Sequence, residues 1–239
     1  MILIISLAAF VSTFLGGIFA LKFKDKLHLI LGFSAGAIIG VALFDLLPEA
    51  IELGGGVYEV SSITSLVALG FIIYMLIDRL VILHLHHEDE PLHHKDRGRF
   101  GAGSLSFHSF LDGVAIGLAF QVSVAVGAVV AIAVLVHDFS DGINTVNMVV
   151  KNGASRKEAL RWLLLDACAP VLGVLSTYFF TLSSTSLGVI LALFCGFFLY
   201  IGASDLLPES HHRHPAVWTT VSTIIGMAVL FVAIQFAGI

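Results

Sequence analysis

Eight times along its 239 residues this chain runs through about twenty successive positions that are almost all apolar, roughly over 2–21, 28–52, 62–83, 100–121, 124–149, 160–181, 186–206 and 216–237. A helix rising about 1.5 Å per residue needs about 20 such residues to cross the hydrocarbon of a bilayer. The eight spans consume most of the chain, which makes it an all-α membrane protein. Composition agrees, with 58% apolar residues and 12% charged, where an ordinary soluble domain carries roughly 25% charged. One core could not hide that much apolar surface, so a soluble enzyme is excluded. A net charge of −5 leaves no basic excess to attract nucleic acid. Cys168 and Cys195 both lie inside apolar runs, which excludes a disulfide framework. No GxxxxGK[ST] phosphate loop occurs, so transport is not driven by ATP hydrolysis on this chain.

The bases orient the spans. Lys22, Lys24 and Lys26 follow span 1, and Arg79, Lys95, Arg97 and Arg99 flank the connection from span 3 to span 4. Lys151, Arg156, Lys157 and Arg161 surround the connection from span 5 to span 6, and Arg213 lies between spans 7 and 8. These are all 12 bases. Their four loops lie on one face, which the positive-inside rule makes cytoplasmic. Both termini are then extracytoplasmic, as expected of a multi-pass protein of a cell (inner) membrane. Nothing basic precedes the first apolar run, so it reads as a helix entering from outside, not as a signal peptide.

Two internal repeats carry the chemistry. Asp45-Leu46-Leu47-Pro48-Glu49 in span 2 recurs 160 residues later as Asp205-Leu206-Leu207-Pro208-Glu209 in span 7. The odd number of intervening connections sets the copies antiparallel, as in inverted-repeat transporters. The first copy then faces outside and the second inside. The competing reading is a common helix-ending phrase, since Pro followed by an acid suits an interface.

The second repeat is HxFxDG, read as His108 to Gly113 in span 4 and His137 to Gly142 in span 5. His and Asp at i and i+4 share a helical face about 6 Å apart, within reach of one cation. Packing through Gly113, Gly117 and Gly142 would bring His108, Asp112, His137, Asp138 and Asp141 together near the bilayer middle. Carboxylates there cost at least about 2.5 kcal/mol each, and a shared divalent cation is what makes the cluster tolerable. The alternative is His–Asp hydrogen bonding that glues the helices without metal. Asp166 in span 6 lies at matching depth, about 10 Å in, and could complete a second metal position or stand alone beside a polar cavity. Asn144 and Asn147, one and two turns below Asp141, could pass an ion inward or simply bond neighbouring helices. His84, His86, His87, His93 and His94, set among Glu88, Asp89 and Glu90, make a loop over 85–99 that suits loose transition-metal binding. His211, His212 and His214 follow the second DLLPE on the same face and could relay ions leaving Asp205 and Glu209.

With HSFLDG and HDFSDG on adjacent spans, eight spans and a histidine-rich loop between spans 3 and 4, the chain resembles the ZIP family of divalent metal importers. The family's signature is HNxPEG on its fourth helix, with a related motif on the fifth. This sequence departs from it at Ser109 for Asn, Leu111 for Pro, and Asp112 and Asp141 for Glu. The resemblance implies one transporter domain over 1–239 in a 3+2+3 arrangement, with helices 1 to 3 and 6 to 8 as inverted repeats. It also implies a one- or two-metal site, rocking or elevator-like alternating access, and a homodimer. The expected substrate is Zn²⁺ by family majority, with Fe²⁺, Mn²⁺ and Cd²⁺ also compatible with His and carboxylate ligands.

Two other functions were weighed against this one. A cation diffusion facilitator exports metal through similar HxxxD pairs, but would show six helices and a terminal cytoplasmic domain. An intramembrane zinc hydrolase would need an open coordination position and a placed acid–base group, and no HExxH occurs. The expectation is a transporter, not an enzyme, with the metal as substrate and no catalytic cofactor.

Overall fold

The structure, a computed structural model, describes residues 2–22, 27–86, 94–211 and 217–237. Among them every regular element is helical. The elements are α1 (Ile2–Lys22), α2 (Leu27–Val41), α3 (Leu47–Gly54), α4 (Val60–His86), α5 (His94–Val122), α6 (Val124–Lys151), α7 (Arg156–Ser176), α8 (Ser184–Tyr200), α9 (Leu207–His211) and α10 (Val217–Ala237). They form eight stretches long and apolar enough to cross a membrane, from Ile2–Leu21 to Val217–Phe236. Both α4 and α5 extend into the 85–99 segment read from the sequence as loop.

Short polar signals set the boundaries. Ser123, Ser155 and Ser183 cap α6, α7 and α8, each accepting a backbone N–H three residues on, from Val126, Glu158 and Ser186. At the end of α6, Gly153 takes φ +83°, while the Gly153 and Ala154 amides return to Val150 and Val149. That is a Schellman closure, which needs a residue without a Cβ penalty.

The DLLPE copies share one backbone conformation. A π-helical turn, Ala42–Leu46, joins α2 to α3, and another, Ile201–Leu206, joins α8 to α9. Proline offers no N–H and its ring crowds the carbonyl four residues back. The helix therefore widens upstream of Pro48 and Pro208, with Leu47 N–H bonding Ala42 O and Leu207 N–H bonding Gly202 O, five residues back in each case. The phrase does not end either helix.

Packing repeats the same correspondence. Helix α1 packs on α6 and α7, and α5 on α6 and α7; α2 packs on α10, and α4 on α8. Exchanging α1 with α7, α2/α3 with α8/α9, α4 with α10 and α5 with α6 maps these pairings onto themselves. The glycines show the register. A Cβ on Gly113 would strike the Pro170 carbonyl and one on Gly173 the Phe110 carbonyl; in the other half Gly142 meets Thr13 and Gly16 meets Phe139. These are equivalent positions under the exchange, with small residues admitting close approach where lipid supplies no hydrophobic drive. The result is two bundles, α1/α5/α6/α7 and α2–α4/α8–α10. Between them Ser34 Oγ meets Ser140 Oγ at 2.8 Å and bonds the Val136 carbonyl at 3.1 Å. Leu69, Ile72 and Leu76 on α4, and Ile224, Val229 and Phe231 on α10, point outward, as lipid-facing positions should.

Candidate metal centre

A single residue, Ser123, separates α5 from α6, so the two run antiparallel and lay their HxFxDG motifs side by side. His108 with Asp112, and His137 with Asp141, each lie one turn apart on a helix, and all four are buried. Asp112 Oδ2 stands 3.1 Å from His108 Nε2 and 3.2 Å from His137 Nε2; Asp141 Oδ2 stands 3.5 and 3.7 Å from the same atoms. All four donor atoms fall within 4.8 Å of one another. For ligand bonds of about 2.0–2.2 Å, tetrahedral geometry gives donor separations of about 3.3–3.6 Å. The four N···O distances, from 3.1 to 3.7 Å, bracket that range.

Hydrogen bonding without metal does not satisfy this cluster. His108 Nε2 and Asp141 Oδ2 are buried and have no hydrogen-bond partner among the described residues. A buried polar atom left bare costs about 1–3 kcal/mol, more if charged. A divalent cation at the centre would occupy both and balance two carboxylates. The outer ring nitrogens are held away from it: His137 Nδ1 lies 3.1 Å from the Ala133 carbonyl, and His108 Nδ1 lies 3.0 Å from the Tyr74 hydroxyl. Such contacts fix tautomer and ring angle, leaving Nε2 for metal.

Of the six residues expected at the metal, the structure brings these four together and sets two beside them. Asp166 on α7 is fully buried and saturated, Oδ1 accepting from Ser109 Oγ at 2.8 Å and Oδ2 from Thr145 Oγ1 at 2.7 Å. It ties α7 to α5 and α6. Asp138, a residue past His137, is not one of the four converging residues; it is fully buried and neither of its carboxylate oxygens has a hydrogen-bond partner among the described residues.

The cluster accords with what the chain is similar to. The family model for the ZIP zinc transporter matches residues 1–104 and 101–234. The chain belongs to the ZIP family. It is 25% identical to the zinc transporter ZIP9 of Xenopus tropicalis over 91% of this chain and 88% of that protein. It is 39% identical to the metal cation symporter ZIP14 of Xenopus tropicalis over 43% of this chain, and 30% identical to the zinc transporter foi of Drosophila melanogaster over 50%. Those two matches span only 22% and 17% of the longer relatives. The protein is thus a multi-pass ZIP transporter-family member with a buried His/Asp cluster fit for a divalent metal.

Away from the ZIP cluster, Asp45 lies in the first π turn, fully buried, with no hydrogen-bond partner for either oxygen among the described residues. Glu49, one turn on, is half-buried, as are Asn144 and Asn147 along α6. His87, His93, His212 and His214 lie outside the described residues, as do the side chains of His84, His86, His94, Asp205, Glu209 and His211. Sequence reasoning missed Tyr74 and Thr145. Thr145 had a signal, standing one turn beyond Asp141 on the motif's own face. Tyr74 had none, because contact across 34 residues leaves no local trace.

Proposed function

We propose that this ZIP protein imports divalent transition metal, Zn²⁺ foremost, into the cytoplasm through the site formed by His108, Asp112, His137 and Asp141. The four converging donor atoms within 4.8 Å carry the reading. Four protein donors leave no vacant position for an attacking water, which favours carriage of the ion over hydrolysis. Zinc also stands in the names of the ZIP9 and foi relatives. Asp138 and Asp166 flank the site and offer carboxylates to a second ion or to the same ion in passage. Asp45 and Glu49 serve the outer approach, and Asn144, Asn147, Asp205 and Glu209 the inner one. His84, His86, His87, His93, His94, His211, His212 and His214 bind released ions loosely on the cytoplasmic face.

The twelve bases on one face support a cytoplasmic placement of that face, with both termini extracytoplasmic in a cell (inner) membrane and import as the direction of transport. The paired exchange of helices supports the 3+2+3 inverted-repeat arrangement, and the division into two bundles supports alternating access by their relative movement. The assembly is a homodimer of single-domain chains. The test is zinc uptake into proteoliposomes holding wild type, His108→Ala or Asp141→Ala. Uptake by wild type and none by either variant, with all three folded, supports the assignment; wild-type uptake in either variant overturns it.

A further inference from the structure

The two imidazoles are held in different ways. His137 Nδ1 is satisfied within its own helix, by the carbonyl of Ala133 one turn back. His108 Nδ1 instead reaches the hydroxyl of Tyr74 on α4, a helix of the other bundle, at 3.0 Å. The Tyr74 ring is itself fixed against α8, with ring centroids 5.5 Å from both Phe197 and Tyr200, and it meets the His108 ring edge-on at 5.8 Å. Tyr200 Oη in turn bonds Asp78 Oδ2 at 2.8 Å, pinning α8 to α4.

Resting on the reading of His108 as a metal ligand, we propose that Tyr74 is a positioning residue for the metal site, its hydroxyl holding the His108 ring from the opposite bundle. If Nε2 gives its lone pair to the cation, the ring proton sits on Nδ1, so Nδ1–H donates and Tyr74 Oη accepts. The bare state of His108 Nε2 agrees, since it makes no hydrogen bond of its own. Losing the acceptor leaves Nδ1–H buried and unpaired and frees the ring to turn. Because the bond crosses between bundles, this hold on the His108 ring exists only in the docked arrangement.

Tyr74→Phe in the full chain keeps the ring packing and removes only the hydroxyl. Zinc titration of the purified protein should show the dissociation constant raised about 10- to 100-fold, as for other partners of ligating histidines. The KM for uptake should rise in step while the maximal rate changes little, and the Co²⁺ ligand-field spectrum should shift. Ser34→Ala breaks an interbundle contact that touches no ligand and should leave zinc affinity as in wild type. Equal weakening by Ser34→Ala and Tyr74→Phe would make bundle docking the cause and overturn the proposal. Asp141→Ala separates the remaining cases. Wild-type binding in Tyr74→Phe with loss in Asp141→Ala overturns the role of Tyr74 alone, while wild-type binding in both overturns the site and the role together.

Discussion

Gly142→Ala tests whether the helix crossings place the ligands. In an exposed helix interior the change would stabilise by about 1 kcal/mol, because alanine loses less backbone freedom on folding. Here the new Cβ would stand 2.8 Å from the Thr13 carbonyl carbon and 2.9 Å from Gly17 N, and closer still to the Thr13 oxygen. Comfortable carbon contacts need about 3.5–4.0 Å, so α1 and α6 must part by roughly 1 Å. Both clashing groups are backbone and neither can rotate away. Overpacking of this kind costs about 1–3 kcal/mol, which outweighs the propensity gain. The displacement falls beside Asp141, so metal affinity should drop together with thermal stability. Gly103→Ala is the opposing control, since its Cβ would meet only the Trp162 ring at 3.7 and 3.8 Å, ordinary contact. That variant should melt at or above wild type and bind zinc normally. Thermal unfolding in detergent followed by zinc titration reads both quantities. A Gly142→Ala protein as stable as Gly103→Ala, with unchanged zinc affinity, would refute the crossing geometry.

Thr145→Val removes one of the two hydroxyls on Asp166 and should lower stability by about 1.5–3 kcal/mol, the range for a hydrogen bond to a charged group; an unchanged melting temperature would show that this carboxylate does not depend on the hydroxyl. Deleting residues 85 to 94 should leave uptake running, with altered affinity at most, because none of these residues belongs to the four-residue centre. Complete loss in a correctly inserted deletion would place the tract on the essential route. In a cysteine-labelling experiment, a Cys at position 49 should react with an impermeant reagent from outside and one at 209 should not. Labelling of both from the same side would sink the twelve-base topology and the direction of import inferred from it.

The spans and their number were legible because lipid imposes a length and a polarity that the chain must show in one dimension. The pairing of His108 with Asp112 and of His137 with Asp141 was legible because i and i+4 spacing fixes a face without knowledge of the fold. The π turns were not. Pro48 and Pro208 announce an interruption, but whether a helix stops or widens depends on whether the freed carbonyls find water. Within a bilayer they find none, so the chain keeps its hydrogen bonds by shifting to i−5 and continues. Helix α4 carries through His86 and α5 begins at His94, so both run into the 85–99 segment, whose charged and histidine-rich residues read as loop because no apolar periodicity marks them.

Asp138 and Asp166 show what a repeat can and cannot tell. Under the helix exchange Ser109 corresponds to Asp138, 29 residues on, and Ala9 corresponds to Asp166, 157 residues on, the register set by Gly113 with Gly142 and Gly16 with Gly173. In one half a serine on α5 meets an aspartate on α7 and satisfies it. In the other the aspartate stands on α6 itself, and the position equivalent to its partner is the fully buried Ala9, which has nothing to donate. The two halves therefore hold one extra carboxylate each, on opposite sides of the pairing, and among the described residues only Asp166 receives hydrogen bonds. The sequence sets both near the expected metal, Asp138 as the extra acid of the second motif and Asp166 by its depth in span 6. The two differ in surroundings: Asp166 accepts hydroxyls from Ser109 and Thr145, whereas neither oxygen of Asp138 has a hydrogen-bond partner among the described residues.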